Sequence, residues 1–340
     1  MSKLVLVTGI SGYIGQHCAV ELIRNGYRVR GSVRNLDKSD KVTADLNKVI
    51  DTQGNLEFCR LDLLQDAGWD EALAGCDYLL HVASPFIMSE PKNEDDLIRP
   101  AVDGTRRALS AAKKAGIKRV VLTSSMVAMI GGSSGEFAVD QDSWTDVNAR
   151  GVSAYLKSKT LAEKAAWEFI EEQTGADRME LVVVNPGPVY GPTLSDRISG
   201  ASLSTYRDLI LGKTPMLPKA AINMSDVRDV AKIHVRALTN DAAAGRRFIV
   251  SSERAYSFKE MAEVLVANGY DKVSTREAPN FLLKFLARFS ADMKGMLPFI
   301  GNTVNGDISA TKRVFDYSPT PFERTVVDTA KSVEAVLRKA

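Results

Sequence analysis

The chain has 340 residues, of which 45% are hydrophobic and 25% charged, enough for one large domain or two modest ones with a real core. A net charge of +2, with no basic cluster interleaved with aromatics, gives no electrostatic case for nucleic acid or an acidic membrane surface. Three cysteines without Cys-x-x-Cys spacing and three scattered histidines offer no disulfide framework and no metal-ligand pattern, which implies a reducing compartment and no bound metal.

The apolar run at the N-terminus, Leu4-Val5-Leu6-Val7, is too short for a signal peptide, and no stretch approaches a membrane span. The protein is therefore expected to stay in the cytoplasm. Leu4–Thr8 reads as a first strand and Gly15–Asn25 as a helix. Between them stands Thr8-Gly9-Ile10-Ser11-Gly12-Tyr13-Ile14-Gly15. Three glycines at this spacing permit a tight turn and close approach of backbone to a pyrophosphate, which the free N–H groups and positive dipole end of the helix would hold. Thr8, Gly9, Ser11, Gly12, Tyr13, Ile14 and Gly15 are the expected dinucleotide contacts.

The second strand, Arg28–Val33, decides which dinucleotide. A site for NAD usually carries a carboxylate at this strand's end, to hold the ribose 2′-hydroxyl. Here Arg34 follows instead, and no carboxylate appears before Asp37. Arg34 could clamp a 2′-phosphate and stack on adenine, with Lys41 as a second cation, so NADP is expected over NAD. After the third strand, Leu56–Arg60, Asp62 could bond the adenine amino group, with Leu63 beside it.

A short helix near Trp69–Leu73, a strand Tyr78–Val82, a helix Asp103–Lys114, a strand Val120–Thr123, a helix Tyr155–Glu172 and a strand Leu181–Asn185 continue the alternation. Such alternation implies right-handed βαβ units and an α/β fold with a doubly wound parallel sheet. After Asn185, a Pro/Gly/Ser-rich stretch reads as a loop leaving the sheet. An Asp226–Leu238 helix and an Arg247–Ser251 strand then return to it. The expected organisation is a dinucleotide-binding Rossmann domain over 1–190, rejoined by 222–252. A smaller, mostly helical substrate lobe would be built from 191–221 and 253–340. Within it, Leu282, Phe285, Leu286, Phe289, Met293 and Met296 follow helical spacing, which reads as a lobe helix lining the pocket or the core rather than a membrane-surface helix.

Chemistry is carried by Tyr155 and Lys159. Four residues apart on a helix, they share one face, and an ammonium beside a phenol favours the phenolate. Such a phenol can give or take a proton at a carbonyl or alcohol. The strand before it ends in Ser124 and Ser125, whose hydroxyls could polarise a carbonyl oxygen.

With the glycine turn, the strand-end serines and the tyrosine–lysine pair together, the chain resembles the extended short-chain dehydrogenases/reductases, and within them the dihydroflavonol-reductase-like ketone and aldehyde reductases. The resemblance runs through His81-Val82-Ala83-Ser84-Pro85, Val121-Leu122-Thr123-Ser124-Ser125, Tyr155-x-x-x-Lys159 with Thr160–Trp167, Asn185–Pro192 and Ser309-x-x-Lys312. It implies an NADPH-dependent reductase of a small, largely apolar carbonyl compound. Ser125 would polarise the carbonyl, and Tyr155 would act as general acid. Lys159 would hold the nicotinamide ribose and lower the phenol's pKa. Val82, Ala83, Ser84, Pro186, Gly187 and Val189 would flank the nicotinamide, and Phe86, Met126, Ile130 and Asn223 would line the substrate pocket. Ile130 stands where the flavonoid enzymes carry an asparagine, and the cinnamoyl-CoA reductase signature around the tyrosine is absent.

Alternatives within the resemblance are an NAD-dependent hydroxysteroid dehydrogenase or a nucleotide-sugar epimerase or dehydratase. From another class comes a non-catalytic NADP-sensing protein. Gly131-Gly132-Ser133-Ser134-Gly135 matches Gly-x-Ser-x-Gly, but no helix start follows, so it reads as a flexible loop and not a hydrolase elbow. The chain could work as a monomer or a homodimer, with a small carbonyl compound as partner.

Overall fold

In the computed structural model, which describes residues 2–85, 90–175 and 177–339 (the side chain of Asp292 excepted), the short apolar runs form one twisted sheet. Its strands include β1 (Leu4–Thr8), β2 (Arg28–Val33), β3 (Leu56–Arg60), β4 (Tyr78–His81) and β5 (Arg119–Thr123), together with Glu180–Pro186 and Arg246–Val250. They are arranged in the order Arg246–Val250, Glu180–Pro186, β5, β4, β1, β2, β3, every neighbouring pair parallel. Chain order reverses at β1, which has β4 on one side and β2 on the other. That reversal opens the crevice in which sheets of this type bind ligands.

Alternation of side chains along each strand divides the core into two layers. Val5, Val7, Leu80, Val121, Val182 and Val184 face one side, while Leu6, Leu79, Val120, Leu122, Leu181 and Val183 face the other. The helices of the first half are α1 (Tyr13–Arg24), α2 (Ser39–Asn47), α3 (Trp69–Leu73), α4 (Asp95–Lys114), α5 (Val127–Ile130) and α6 (Ala154–Glu171). Helix α1 and the helix Val227–Ala237 cover the first layer; α3, α4 and α6 cover the second. Each fully buried Leu or Val in these layers contributes about 1.5–3 kcal/mol. Helix α4 packs on α6, and both carry small buried side chains, Gly104, Ala108 and Ala112 on one and Ala162, Ala165 and Ala166 on the other. Small residues let the two backbones approach, which fixes α6 against the sheet.

Several expectations change. Helix α4 begins at Asp95 rather than Asp103 and runs through Pro100. The carbonyl that Pro100 leaves unpaired belongs to Asp96, an exposed residue, so water can take it. Helix α2 was hidden by its charges and is held by Val42 and Leu46, both buried. The C-terminal part is mostly helical, as expected, with short strands added. Tyr256–Ser257, Ala221–Ile222, Thr303–Gly306 and Glu136–Val139 form a second, four-stranded sheet, which joins chain from both sides of the boundary expected near residue 190. The lobe has its own core around Tyr206, Leu209, Leu217, Met261, Leu265, Phe322 and Val326.

The segment read as one amphipathic helix is two short ones, Asn280–Leu286 and Ala291–Met296. Leu283, Met293 and Leu297 pack in a small cluster with Ala278 and Ile300. Phe281, Phe285, Leu286 and Phe289 point to solvent instead of lining a core. Gly131–Gly135 leads directly into the strand Glu136–Val139, with positive φ at Gly132 and Gly135, so it is a turn and not a strand-to-helix elbow. Among the described residues no helix is long and apolar enough to cross a membrane.

Candidate active site

Strand β1 delivers the glycine turn to the crevice. Gly9 has φ +70°, and a Cβ there would come within 3.0 Å of Ala83 Cβ; a Cβ on Gly15 would sit 2.4 Å from the Gly9 carbonyl oxygen. Both positions therefore exclude side chains. The Gly12 N–H closes the turn on the Gly9 carbonyl at 2.9 Å, and α1 starts from Gly12 with no side-chain cap. No side chain takes up its first N–H groups, as an anion site requires. The Ser32 hydroxyl accepts the Gly9 N–H at 3.3 Å, fixing the turn to β2.

Arg34 lies exposed just past β2, and Lys41 is half-buried on α2; neither makes an ion pair among the described residues. The parallel register sets Val33 beside Arg60 at the end of β3, adding a third cation to the same edge. Sequence reasoning missed Arg60, although its place as the last residue of the third strand could have exposed it. Asp62 accepts the Leu64 N–H at 3.0 Å, and the Leu63 carbonyl accepts from Arg107 at 2.6 Å, so the stretch after β3 is a built turn.

At the other side of the crevice, the Ala83 N–H donates to Thr8 Oγ1 at 3.1 Å, and that hydroxyl lies 3.0 Å from His81 Nδ1. Val82, Ala83 and Ser84 thus leave β4 alongside the glycine turn. On the far strand, the Met126 N–H donates to the Pro186 carbonyl at 2.9 Å, and the Ser125 hydroxyl reaches the same oxygen at 3.4 Å. A Cβ on Gly187 would lie 2.1 Å from the Asn223 carbonyl oxygen, so this chain can pass only as glycine.

Helix α6 presents the tyrosine and lysine. Ser153 caps it by accepting the Leu156 N–H, which places Tyr155 and Lys159 in its first two turns, both half-buried. Burial pushes the Tyr155 phenol up to about 12, against the downward pull of the neighbouring Ser125 hydroxyl. Burial also draws the Lys159 ammonium down to about 8, opposed by the Glu163 carboxylate. The expected lowering of the phenol by Lys159 is therefore not what governs it here: loss of hydration outweighs the charge one turn away. A phenol neutral at pH 7 is nevertheless the form a proton donor needs.

Ser125, Tyr155 and Lys159 are thus brought to one end of the sheet, across β4 and β1 from Arg34. The expected pocket lining fares differently. Met126 and Asn223 are fully buried, and Ile130 nearly so. Met126 fills the space that Gly187 and Gly306 leave by lacking a Cβ. Asn223 donates to the Ser252 carbonyl at 2.6 Å and accepts the Gly306 N–H at 2.7 Å. All three are internal packing: α5 and its start turn Met126 and Ile130 into the core, and the Asn223 amide is taken up by Ser252 and Gly306. Phe86 lies outside the described residues.

The sequence profile of the NAD dependent epimerase/dehydratase family matches residues 5–251. The chain belongs to this family. Among curated members, the cinnamoyl-CoA reductase CAD2 of Medicago truncatula is 34% identical over 271 residues, which are 78% of this chain and 80% of that protein. The NADPH-dependent methylglyoxal reductase GRE2 of Saccharomyces cerevisiae is 33% identical over 283 residues, 77% of this chain and 81% of that one. A solved structure of the yeast methylglyoxal/isovaleraldehyde reductase Gre2 complexed with NADPH superposes with a TM-score of 0.80 at 26% identity, covering 99% of this chain and all of that one. This member of the epimerase/dehydratase family therefore has the extended short-chain reductase architecture along its whole length.

Proposed function

We propose that the protein is an NADPH-dependent reductase that converts the carbonyl of a small, largely apolar ketone or aldehyde to an alcohol. The observation that carries the reading is that Tyr155, neutral at pH 7, and Ser125 come together at the end of the sheet that also holds the glycine turn. The names of the similar yeast proteins, methylglyoxal and isovaleraldehyde reductases, support the substrate class.

The residues present fit the dinucleotide. The Gly9–Gly15 backbone is a cradle that a Cβ would fill, and the start of α1 offers N–H groups without acceptors. Arg34, with Lys41 and Arg60, stands where a 2′-phosphate would need cations. When bound, NADPH supplies the hydride that reaches the carbonyl carbon. The Ser125 hydroxyl donates to the carbonyl oxygen and stabilises the charge that builds there. Tyr155 gives that oxygen its proton. Lys159, as an ammonium, stabilises the phenolate left behind and holds the ribose edge. Val82, Ala83, Ser84, Pro186, Gly187 and Val189 close the two sides of the nicotinamide pocket and exclude water.

The test follows absorbance of the reduced nicotinamide with NADPH or NADH against methylglyoxal, isovaleraldehyde and a panel of ketones. Turnover with NADPH, lowered about 10²–10⁴-fold in Tyr155→Phe, is the expected result. Unchanged turnover in Tyr155→Phe would sink the catalytic assignment, and saturating activity with NADH alone would sink that of Arg34. NADPH binding without turnover of any carbonyl would favour a sensing protein.

A further inference from the structure

Glu163 lies one helical turn beyond Lys159 on α6, and its side chain is fully buried, a costly place for a carboxylate unless it is tied on every side. The Ser124 hydroxyl donates to its Oε2 at 2.5 Å, and Asn185 Nδ2 donates to the same oxygen at 2.7 Å. That Asn185 amide also reaches the Ser125 carbonyl at 3.2 Å. On the other side, Arg247 Nε sits 2.7 Å from Oε1, with its guanidinium stacked 3.8 Å over the Trp144 ring and bonded to the Ser143 carbonyl at 2.8 Å. The carboxylate and Lys159 line one narrow cavity with Ser84, Thr105, Thr123 and Ser124.

We propose that Glu163 is a positioning residue for the reaction: it keeps Lys159 charged and, through Ser124 and Asn185, fixes the strand end that carries Ser125. This rests on the roles given above to Ser125, Tyr155 and Lys159. A carboxylate needed only to pair Arg247 would have no reason to share a cavity with Lys159 or to hold both sides of the serine pair.

The other groups facing Lys159 do not replace it. On the same helix stands Tyr155, neutral at pH 7; β4 brings His81, which burial, and then Lys159 itself, draw down to about 4 and so keep uncharged. Strand β5 and its end offer only the hydroxyls of Thr123, Ser124 and Ser125, and α4 only Thr105. Among the described residues Glu163 is thus the anion that opposes the loss of the Lys159 proton on burial.

The experiment compares wild type and Glu163→Gln in two readouts. One is the pH midpoint of Lys159 acetylation by acetic anhydride in the cofactor-free protein, read by peptide mass spectrometry. The other is the alkaline limb of kcat for NADPH-dependent reduction of methylglyoxal. Both are expected to move downward by about one pH unit, with kcat at pH 8 lowered about fivefold. Glu163→Asp should restore most of the shift. If Glu163→Gln does not fold with Arg247 unpaired, Glu163→Gln/Arg247→Met removes both charges, and the same downward shift is expected. A folded variant in which neither midpoint moves overturns the proposal. In parallel, Tyr155→Phe separates the causes: if it is inactive while Glu163→Gln leaves both midpoints in place, this inference alone fails, whereas full turnover in Tyr155→Phe removes the reading beneath it.

Discussion

Thr8 Oγ1 lies 3.0 Å from His81 Nδ1, so the end of β1 is tied to the end of β4 where the glycine turn begins. The same oxygen accepts the Ala83 N–H at 3.1 Å, and both Thr8 and His81 are buried. Thr8→Val keeps the shape and removes the hydroxyl, leaving the His81 ring nitrogen and the Ala83 N–H without a partner. We expect a loss of about 1–3 kcal/mol, read as a lower Tm, together with weaker NADPH binding by fluorescence titration. An unchanged Tm would mean that this tie contributes nothing to the crevice.

Acid should unfold the protein earlier than its surface carboxylates alone would require. Burial draws His17, His81 and His234 each down to about 4, below the ordinary 6.5. For His234 the partners fix the tautomer: Nδ1 must donate to the Val230 carbonyl at 2.8 Å, so Nε2 accepts from the Thr123 hydroxyl at 2.7 Å. A folded pKa below the unfolded one means that the unfolded chain binds the extra protons, so this stability is complete above pH 6.5 and is lost as pH falls toward 4. Tm measured across that window should fall, and less steeply in His234→Gln. Equal slopes for the two proteins would contradict the assignment.

Arg34→Ala should raise the KM for NADPH about ten- to a hundredfold while leaving that for NADH nearly unchanged, since only the former carries the 2′-phosphate. Arg60→Ala should act in the same direction and more weakly. Equal effects on the two cofactors would place Arg34 elsewhere than at the phosphate.

Phe281 and Phe289 are 75% and 76% exposed. Replacing either with serine should change stability by no more than about 0.5 kcal/mol, measured by urea unfolding. A loss of several kcal/mol would restore the reading of this segment as core.

Much of the site was legible in the sequence because its signals are local. The Gly9–Gly15 turn, the serine pair Ser124–Ser125 just past a strand and the Tyr155–Lys159 pair each depend on neighbours a few residues apart. The segment 280–301 misled for the same reason: helical spacing records periodicity, but not which face finds a partner. Met126 and Asn223 were misplaced because their burial depends on Gly187, Gly306 and Ser252, residues distant in the chain.

The sequence by itself determined the alternating strands and helices, the glycine turn between the first strand and helix, and the placing of Tyr155 and Lys159 on one helix face, because period and spacing are properties of a short stretch. Only the tertiary structure decided that Glu163 meets Arg247, that Arg60 stands beside Val33 and that Glu136–Val139 pairs with Thr303–Gly306. It also decided that burial, and not Lys159, governs the Tyr155 phenol. These are contacts and desolvation effects between residues far apart in the chain, and they exist only once the layers have packed.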